Sequence, residues 1–159
     1  MRRKDREVAG IGAKLEIIKN SRVCRIGMVE DGQAYIVPLN FGYECINDEL
    51  TLYFHGALEG KKIDILKKNP AVCFEMDGEH EFIDGEKTGS YSFAYASVIG
   101  FGIVHFLEQD DEKRHGLTVL MRHQTGQDRD FEFTPEQIRG TAVYTLKVNS
   151  FTGKRRPVV

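Results

Sequence analysis

The amino-acid sequence predicts a mainly β domain, a small barrel of six short, mostly antiparallel strands with flanking helices. Short runs rich in Val, Ile, Tyr and Phe recur along the chain and are separated by hairpin signals. Helical spacing is confined to three stretches. A chain of 159 residues, 41% of them hydrophobic, with no internal repeat or low-complexity linker, has the size of one domain with its own core.

The elements follow in order. Residues 12–20, with Leu15, Ile17 and Ile18, have the spacing of a short amphipathic helix ending near Asn20-Ser21. Residues 23–29 form a strand, Glu30-Asp31-Gly32 a tight turn and residues 34–41 a second strand, since Asp-Gly between β-rich runs is a strong hairpin signal. Asn47-Asp48-Glu49 turns the chain into a third strand over 50–55, so these three are expected as an antiparallel meander. Residues 59–68 form a helix stopped by Asn69-Pro70, because proline disfavours helix in the residue before it. Residues 71–76 form a fourth strand and 77–86 a charged loop. The fifth strand covers 98–107, where Gly100 and Gly102 mark bulges or close backbone approach. Residues 110–123 form a helix with acids first and Arg122-His123 last, matching its dipole, closed by Gly126. The sixth strand covers 141–148.

Charge and cysteine content exclude several classes. Lys and Arg number 22 against 24 Asp and Glu, a formal net charge of -2. That balance argues against a nucleic-acid binder and against a disordered acidic protein. Cys24, Cys45 and Cys73 are odd in number and widely spaced, so they form neither a disulfide framework nor a zinc pattern. They are expected as free thiols in a reducing cytoplasm, with Cys24 and Cys73 buried in strands. The basic N-terminus leads into no apolar run, which excludes a secretory signal. Residues 88–107 carry no formal charge, but Gly, Ser, Thr and His interrupt them, so they are not a membrane span. The expectation is a soluble, cytoplasmic protein.

The segment with most chemistry is Tyr53-Phe54-His55-Gly56-Ala57-Leu58-Glu59-Gly60-Lys61-Lys62. Lys61 and Lys62 fall on the first turn of a helix, where the dipole already places about half a positive charge. Two cations there, directly behind Gly60, are unfavourable unless an anion faces them. A phosphate would answer this with helix N–H donors, a glycine for close approach and two ammonium groups; solvated lysines helped by Glu59 and Asp64 are the other reading. In the second strand Pro38 cannot donate to a ladder, so it marks an edge or a bulge. Such an edge leaves main-chain groups of Val37, Pro38, Leu39 and Asn40 free for a planar ligand, or simply protects the sheet from aggregation.

Together these segments resemble the FMN-binding split-barrel family related to pyridoxamine 5′-phosphate oxidase, and within it the nitroimidazole-resistance (Nim)-like branch. The resemblance rests on Met1-Arg2-Arg3-Lys4-Asp5-Arg6-Glu7, Cys24-Arg25-Ile26-Gly27, the run from Tyr35 to Tyr43, and Tyr53 to Lys62. Asn69-Pro70, Tyr95-Ala96-Ser97-Val98-Ile99-Gly100-Phe101-Gly102 and Thr152-Gly153-Lys154-Arg155 continue it. Order and spacing persist across nearly the whole chain. The resemblance implies a single domain over 1–159, a six-stranded antiparallel Greek-key split barrel that forms a homodimer with FMN at the interface. By similarity, Lys61 and Lys62 behind Gly60 hold the phosphate and the main chain of Val37, Pro38, Leu39 and Asn40 lines the ring. His55, Gly56 and Ala57 run along the ribityl group and the ring, and Ser97, Val98 and Lys154 complete the site, from either subunit. Ala96, where this branch tends to carry Arg or Lys, and Tyr91, where it often carries Trp, depart on the substrate side.

His55 is the candidate catalytic residue: with an ordinary pKa of about 6.5 it can supply a proton or bind a small acid beside the flavin. Its alternative role is to hydrogen-bond the cofactor or the partner subunit. Flavin chemistry needs no protein nucleophile, so the lack of a triad excludes nothing. Other constellations carry less. Glu112-x-x-His115 lacks the second Glu-x-x-His of a carboxylate-bridged metal site and is expected to face solvent. Gly100-Phe101-Gly102 lacks a third glycine and a following helix, so it is no dinucleotide fingerprint. The expected function is electron transfer from a reduced nicotinamide or another donor to a small electrophile such as a nitroaromatic, with no metal, no membrane and no nucleic acid. The alternatives are a flavin carrier or sensor without turnover, and oxidation of pyridoxamine 5′-phosphate.

Overall fold

Period-two alternation of apolar and polar residues builds most of this molecule. The computed structural model describes residues 3–87 and 89–158. Met1 and Arg2 of the family-like opening lie outside them, as do Thr88 and Val159. The chain starts with a 3-10 turn (Lys4–Arg6), a short strand β1 (Glu7–Val8) and helix α1 (Ile11–Asn20). Strands β2 (Cys24–Glu30), β3 (Gln33–Leu39), β4 (Gly42–Ile46) and β5 (Glu49–Gly56) come next. They are followed by α2 (Lys61–Lys68), β6 (Ala71–Ile83), β7 (Ser92–Phe106), α3 (Asp110–Thr125), α4 (Pro135–Arg139) and β8 (Ala142–Arg156). Every pairing is antiparallel, in the order β3-β2-β6-β7-β8-β5-β4, with β1 added to β8. β3 and β4 are the two ends of this path.

Inward side chains form one main core. Cys24, Ile26 and Met28 of β2, Phe74 and Met76 of β6, and Val98 of β7 meet Phe54 of β5 and Tyr144 and Leu146 of β8. Ile17 and Ile18 of α1 and Ile63 and Leu66 of α2 plug it. Burying a side chain of this size contributes about 1.5–3 kcal/mol. Register is therefore firmly set, because a one-residue slip would turn a whole inward set into water.

Among the described residues there are eight strands where the sequence predicts six, and the differences have local causes. The expected meander over 23–55 is replaced by two hairpins: β3 pairs with β2, and β4 with β5. The chain crosses from one to the other at Asn40-Phe41, where the fully buried Phe41 ring lies 6.5 Å from Phe54 and 4.6 Å from His123 between centroids. Both strands are β-rich, so composition hides the crossing. The charged loop expected at 77–86 is strand as far as Ile83, paired with β7 through a bulge between Gly78 and Glu81. This part of the ladder extends past the core, and its exposed positions carry Glu79, His80, Glu81 and Phe82. β8 likewise continues to Arg156, with an irregularity opposite Phe101/Gly102 where the glycine spacing predicts one. The three expected helices form, and Gly126 closes α3 in the left-handed conformation (φ 70°).

Helix α4 has no counterpart in the sequence prediction, although its signal is present. Thr134 Oγ1 accepts from the Gln137 N–H at 3.3 Å, and Gln137 Oε1 accepts from the Thr134 N–H at 2.8 Å. That is a capping box. Cys24 is buried as expected, whereas Cys73 stands partly exposed on the outer face of β6. Among the described residues no helix is long and apolar enough to cross a membrane, and no group of three or more His, Cys, Asp or Glu side chains is arranged to hold a metal.

Helix α3 is clamped onto β4 and β5. A Cβ on Gly42 would lie 2.5 Å from the backbone of Leu120, so only glycine allows this approach. Glu44 Oε2 accepts from the Tyr53 hydroxyl at 2.7 Å and lies 2.9 Å from His115 Nε2. Glu112 and His115 are both exposed, as expected, and His115 reaches the Glu44 carboxylate from that position. Gly42→Ala is expected to destabilise the fold by about 3 kcal/mol through overpacking against a helix backbone, read as a lower midpoint in urea unfolding at unchanged slope.

Candidate functional site

Helix α2 begins behind Gly60, whose φ of 134° suits glycine, and no side chain caps its first-turn N–H groups. The positive end of the helix is therefore open to a ligand. The two lysines on this turn do different work. Lys61 is exposed; its Nζ lies 3.5 Å from Glu30 Oε2 and 4.7 Å from the centre of the Tyr35 ring, tying α2 to the β2–β3 hairpin. Lys62 turns toward Gly56 at the end of β5, where a Cβ would meet its Nζ at 3.0 Å. It is half-buried, and burial alone pushes its pKa down, with no carboxylate or carbonyl among the described residues countering that shift.

His55 lies at the same strand end, opposite Val143 of β8. Burial first, and the Lys62 charge second, lower the imidazole pKa, so the neutral ring is favoured at neutral pH. Gly56 closes β5 and the exposed Ala57 leads toward α2. The edge expected from Pro38 is present: β3 ends the sheet, with Arg25 opposite Pro38 on its paired side. Val37 and Leu39 pack on the core while Pro38 turns outward. What β3 offers a ligand is the main chain along its free edge. The Asn40 amide is engaged by the fold, donating to the Arg22 carbonyl at 3.2 Å and to Gln124 Oε1 at 3.3 Å.

Ser97 and Lys154 face each other across β7 and β8 on the outer surface of the sheet. Val98 turns into the core at 0% exposure, leaving only its main chain. Lys154 is eleven residues beyond the partner of His55 on β8, up to about 36 Å of extended strand. One chain therefore gathers His55, Gly56, Ala57, Gly60, Lys61 and Lys62 beside β3, and leaves Ser97, Val98 and Lys154 elsewhere. Sequence reasoning missed Glu30 and Tyr35, which position Lys61. The Asp31-Gly32 turn carries that signal, because its register puts both at the hairpin tip.

Two surface clefts lie apart from or beside this turn. One of about 400 Å³, between the ends of α1 and α3, is lined by Lys19, Arg22, Tyr43, Glu44, Arg122 and His123. Its arginines are occupied: Arg22 donates to the His123 carbonyl, and Arg122 donates to Asp130 at 2.9 Å. The other, about 600 Å³, runs along α2 past Glu30, Lys61, Asp64, Lys67 and Lys68.

The sequence profile of a family described as pyridoxamine 5′-phosphate oxidase matches residues 13–155. No curated protein sequence matches the chain. Among solved structures, a candidate 5-nitroimidazole antibiotic resistance protein from Bacteroides thetaiotaomicron is 34% identical, with a TM-score of 0.81 over 94% of this chain and 86% of that one. The flavocytochrome Anf3 from Azotobacter vinelandii superposes with a TM-score of 0.80 at 16% identity, over 99% of this chain and 72% of that one. An FAD- and heme-binding protein from Mycobacterium smegmatis does so with a TM-score of 0.78 at 18% identity, over 94% and 73%. At such identities the last two show the shared fold.

His55 provides a direct electrostatic check. A folded-state pKa below the unfolded value gives a stability contribution that is present above the unfolded pKa and lost as pH falls through the folded one. Lys62→Met is expected to raise the His55 pKa toward its ordinary value while burial keeps it depressed. Imidazole proton NMR titration measures this, and an unmoved pKa would show that the Lys62 charge does not reach the ring.

Proposed function

The chain belongs to the pyridoxamine 5′-phosphate oxidase family, and on that premise we propose that it is an FMN-dependent oxidoreductase working as a cytoplasmic homodimer. It would pass electrons from a reduced nicotinamide or another donor to a small electrophile such as a nitroaromatic. The observation that carries this reading is Lys62: a half-buried ammonium with no acceptor among the described residues, beside Gly56 and an uncapped helix N-terminus. A terminal phosphate fits that cradle, since it pairs the stranded charge and takes the free N–H groups.

FMN, when bound, supplies the two-electron chemistry. The chain's contributions follow from placement. Lys62 and the first turn of α2 hold the phosphate, while Lys61, through Glu30 and Tyr35, positions that turn against the β3 hairpin. The free edge of β3 at Val37, Pro38, Leu39 and Asn40 offers main-chain donors and acceptors to a flat heterocycle. His55, kept neutral beside Lys62, hydrogen-bonds at one side of the cofactor or supplies a proton there.

Support for the dimer comes from two features. Ser97 and Lys154 lie on an outer face far from Lys62, so a site using both needs a second chain. That face also exposes large apolar side chains, Ile99 at 46% and Phe101 at 58%, which monomers seldom leave open together. Three unpaired thiols suit a reducing compartment.

Purified protein is expected to be yellow, or to take up added FMN with quenching of flavin fluorescence. Lys62→Met should weaken FMN by about tenfold or more, as for a lost hydrogen bond to a charged group, and Lys61→Met by less. Equal losses would remove the assignment of Lys62 as the anchor, and failure to bind FMN would remove the reading. Anaerobic mixing of the FMN-loaded protein with reduced nicotinamide and then a nitroimidazole is expected to bleach and restore the flavin band. Absence of electron flow with every donor tried would favour a flavin carrier.

A further inference from the structure

Asn40 stands where the β3 edge ends, and its side chain is held more firmly than the fold requires. It directly follows Leu39, the last residue of β3, and precedes the buried Phe41. Its Nδ2 donates to the Arg22 carbonyl at 3.2 Å and to Gln124 Oε1 at 3.3 Å. Gln124, on the last turn of α3, donates from Nε2 to the Phe41 carbonyl at 2.8 Å and to the same Arg22 carbonyl at 3.2 Å. Carbonyl oxygens only accept, so both amide nitrogens face them and neither amide can be turned over. Both ends of the Gln124 amide are thereby used, and so are both N–H groups of Asn40. What remains is Asn40 Oδ1, on an exposed residue and without a partner among the described residues.

The base of this clasp is itself fixed. Arg22 donates to the main-chain carbonyls of His123 and Gln124, and His123 Nε2 donates to the Ser21 carbonyl at 2.9 Å. The crossing does not need Asn40, because Gln124 alone supplies donors to both carbonyls and the Phe41 ring is packed against Phe54 and His123. Holding an exposed side chain in one orientation costs rotamer freedom. The outcome is an oriented acceptor one residue beyond the free edge of β3.

We propose that Asn40 recognises the ring of the cofactor: its Oδ1 accepts from the N–H of a cyclic imide laid along β3, the N3–H of an isoalloxazine. The assignment rests on the flavin reading above. A cyclic imide carries one N–H between two carbonyls, and the oxidised isoalloxazine has no other ring N–H. A single oriented acceptor, next to the unpaired main chain of an edge strand, matches that pattern. A ring lacking the N–H would cover the acceptor and leave it unpaired, which is how hydrogen-bonding sites reject close analogues. Gln124 is a positioning residue, acting through the amide that it orients. Lys62 serves the phosphate, so general affinity and ring identity are set by different residues.

The test titrates FMN and 3-methyl-FMN, in which a methyl group replaces the N3 hydrogen, into the full-length protein while flavin fluorescence is followed. Wild-type protein should bind FMN about tenfold more tightly than the methylated analogue. Asn40→Leu, of similar size, should bind the two alike. Gln124→Leu, which frees the Asn40 amide to turn, should lower the preference, and Lys62→Met should weaken both ligands about equally and keep it. With FMN labelled by nitrogen-15 at N3, the bound N3–H should exchange slowly with water in wild-type protein and rapidly in Asn40→Leu. Equal affinity of wild type for the two flavins, a preference that survives in Asn40→Leu, or rapid exchange of the bound N3–H would overturn the assignment. An unchanged preference in Gln124→Leu would remove its positioning role. The exchange measurement on wild type decides the matter even if a variant fails to fold. Binding of FMN without discrimination overturns this assignment alone, whereas failure to bind FMN overturns the flavin reading with it.

Discussion

Two residues, Asn40 and Phe41, join strands that stand at opposite ends of the seven-strand path. Three peptide steps separate Leu39 from Gly42 and reach at most about 11 Å. The sheet must therefore curl until its ends nearly touch, although no ladder joins them. The buried Phe41 ring secures the crossing from inside, against Phe54 and His123. The rest of the architecture follows from this closure without pairing. Helix α2 packs near the seam, with Lys61 reaching the β3 hairpin and Lys62 reaching the end of β5.

The candidate cofactor site is a consequence of that seam. A fully closed barrel would have no free edge at β3, and a flat sheet would not bring the end of β5 close to the β2–β3 hairpin. Placing a helix N-terminus there adds positive potential to the two lysines. The division of labour between adjacent lysines follows from helix geometry, since neighbouring side chains point about 100° apart. One meets Glu30 and Tyr35, the other meets Gly56.

Much of this was legible in the sequence where local chemistry decides local structure. Pro38 announced a sheet edge, Asp31-Gly32 a hairpin, and Asn69-Pro70 and Gly126 the helix ends. Less legible was anything decided by tertiary context. The crossing at Asn40-Phe41 looks like continuous strand because neither residue breaks β propensity. The arm from Asp77 to Ile83 looks like loop because strand beyond a core has no apolar face to bury. Which of two adjacent lysines is desolvated depends on what packs beside each, and no spacing rule encodes that. Ser97 and Val98 illustrate the same limit within one dipeptide: alternation sends one outward and the other into the core.

The unpaired seam also makes the stability of the molecule uneven. The outward amides of β3 and β4 have no ladder partner, and each strand is fastened along one side only. Such edges open at a fraction of the global unfolding energy, so hydrogen exchange in these strands should be faster than in β6, β7 and β8, which are flanked on both sides. A molecule that bound α2 and β3 together would act as a stitch across the gap, and the cost of ordering the seam would be subtracted from its affinity.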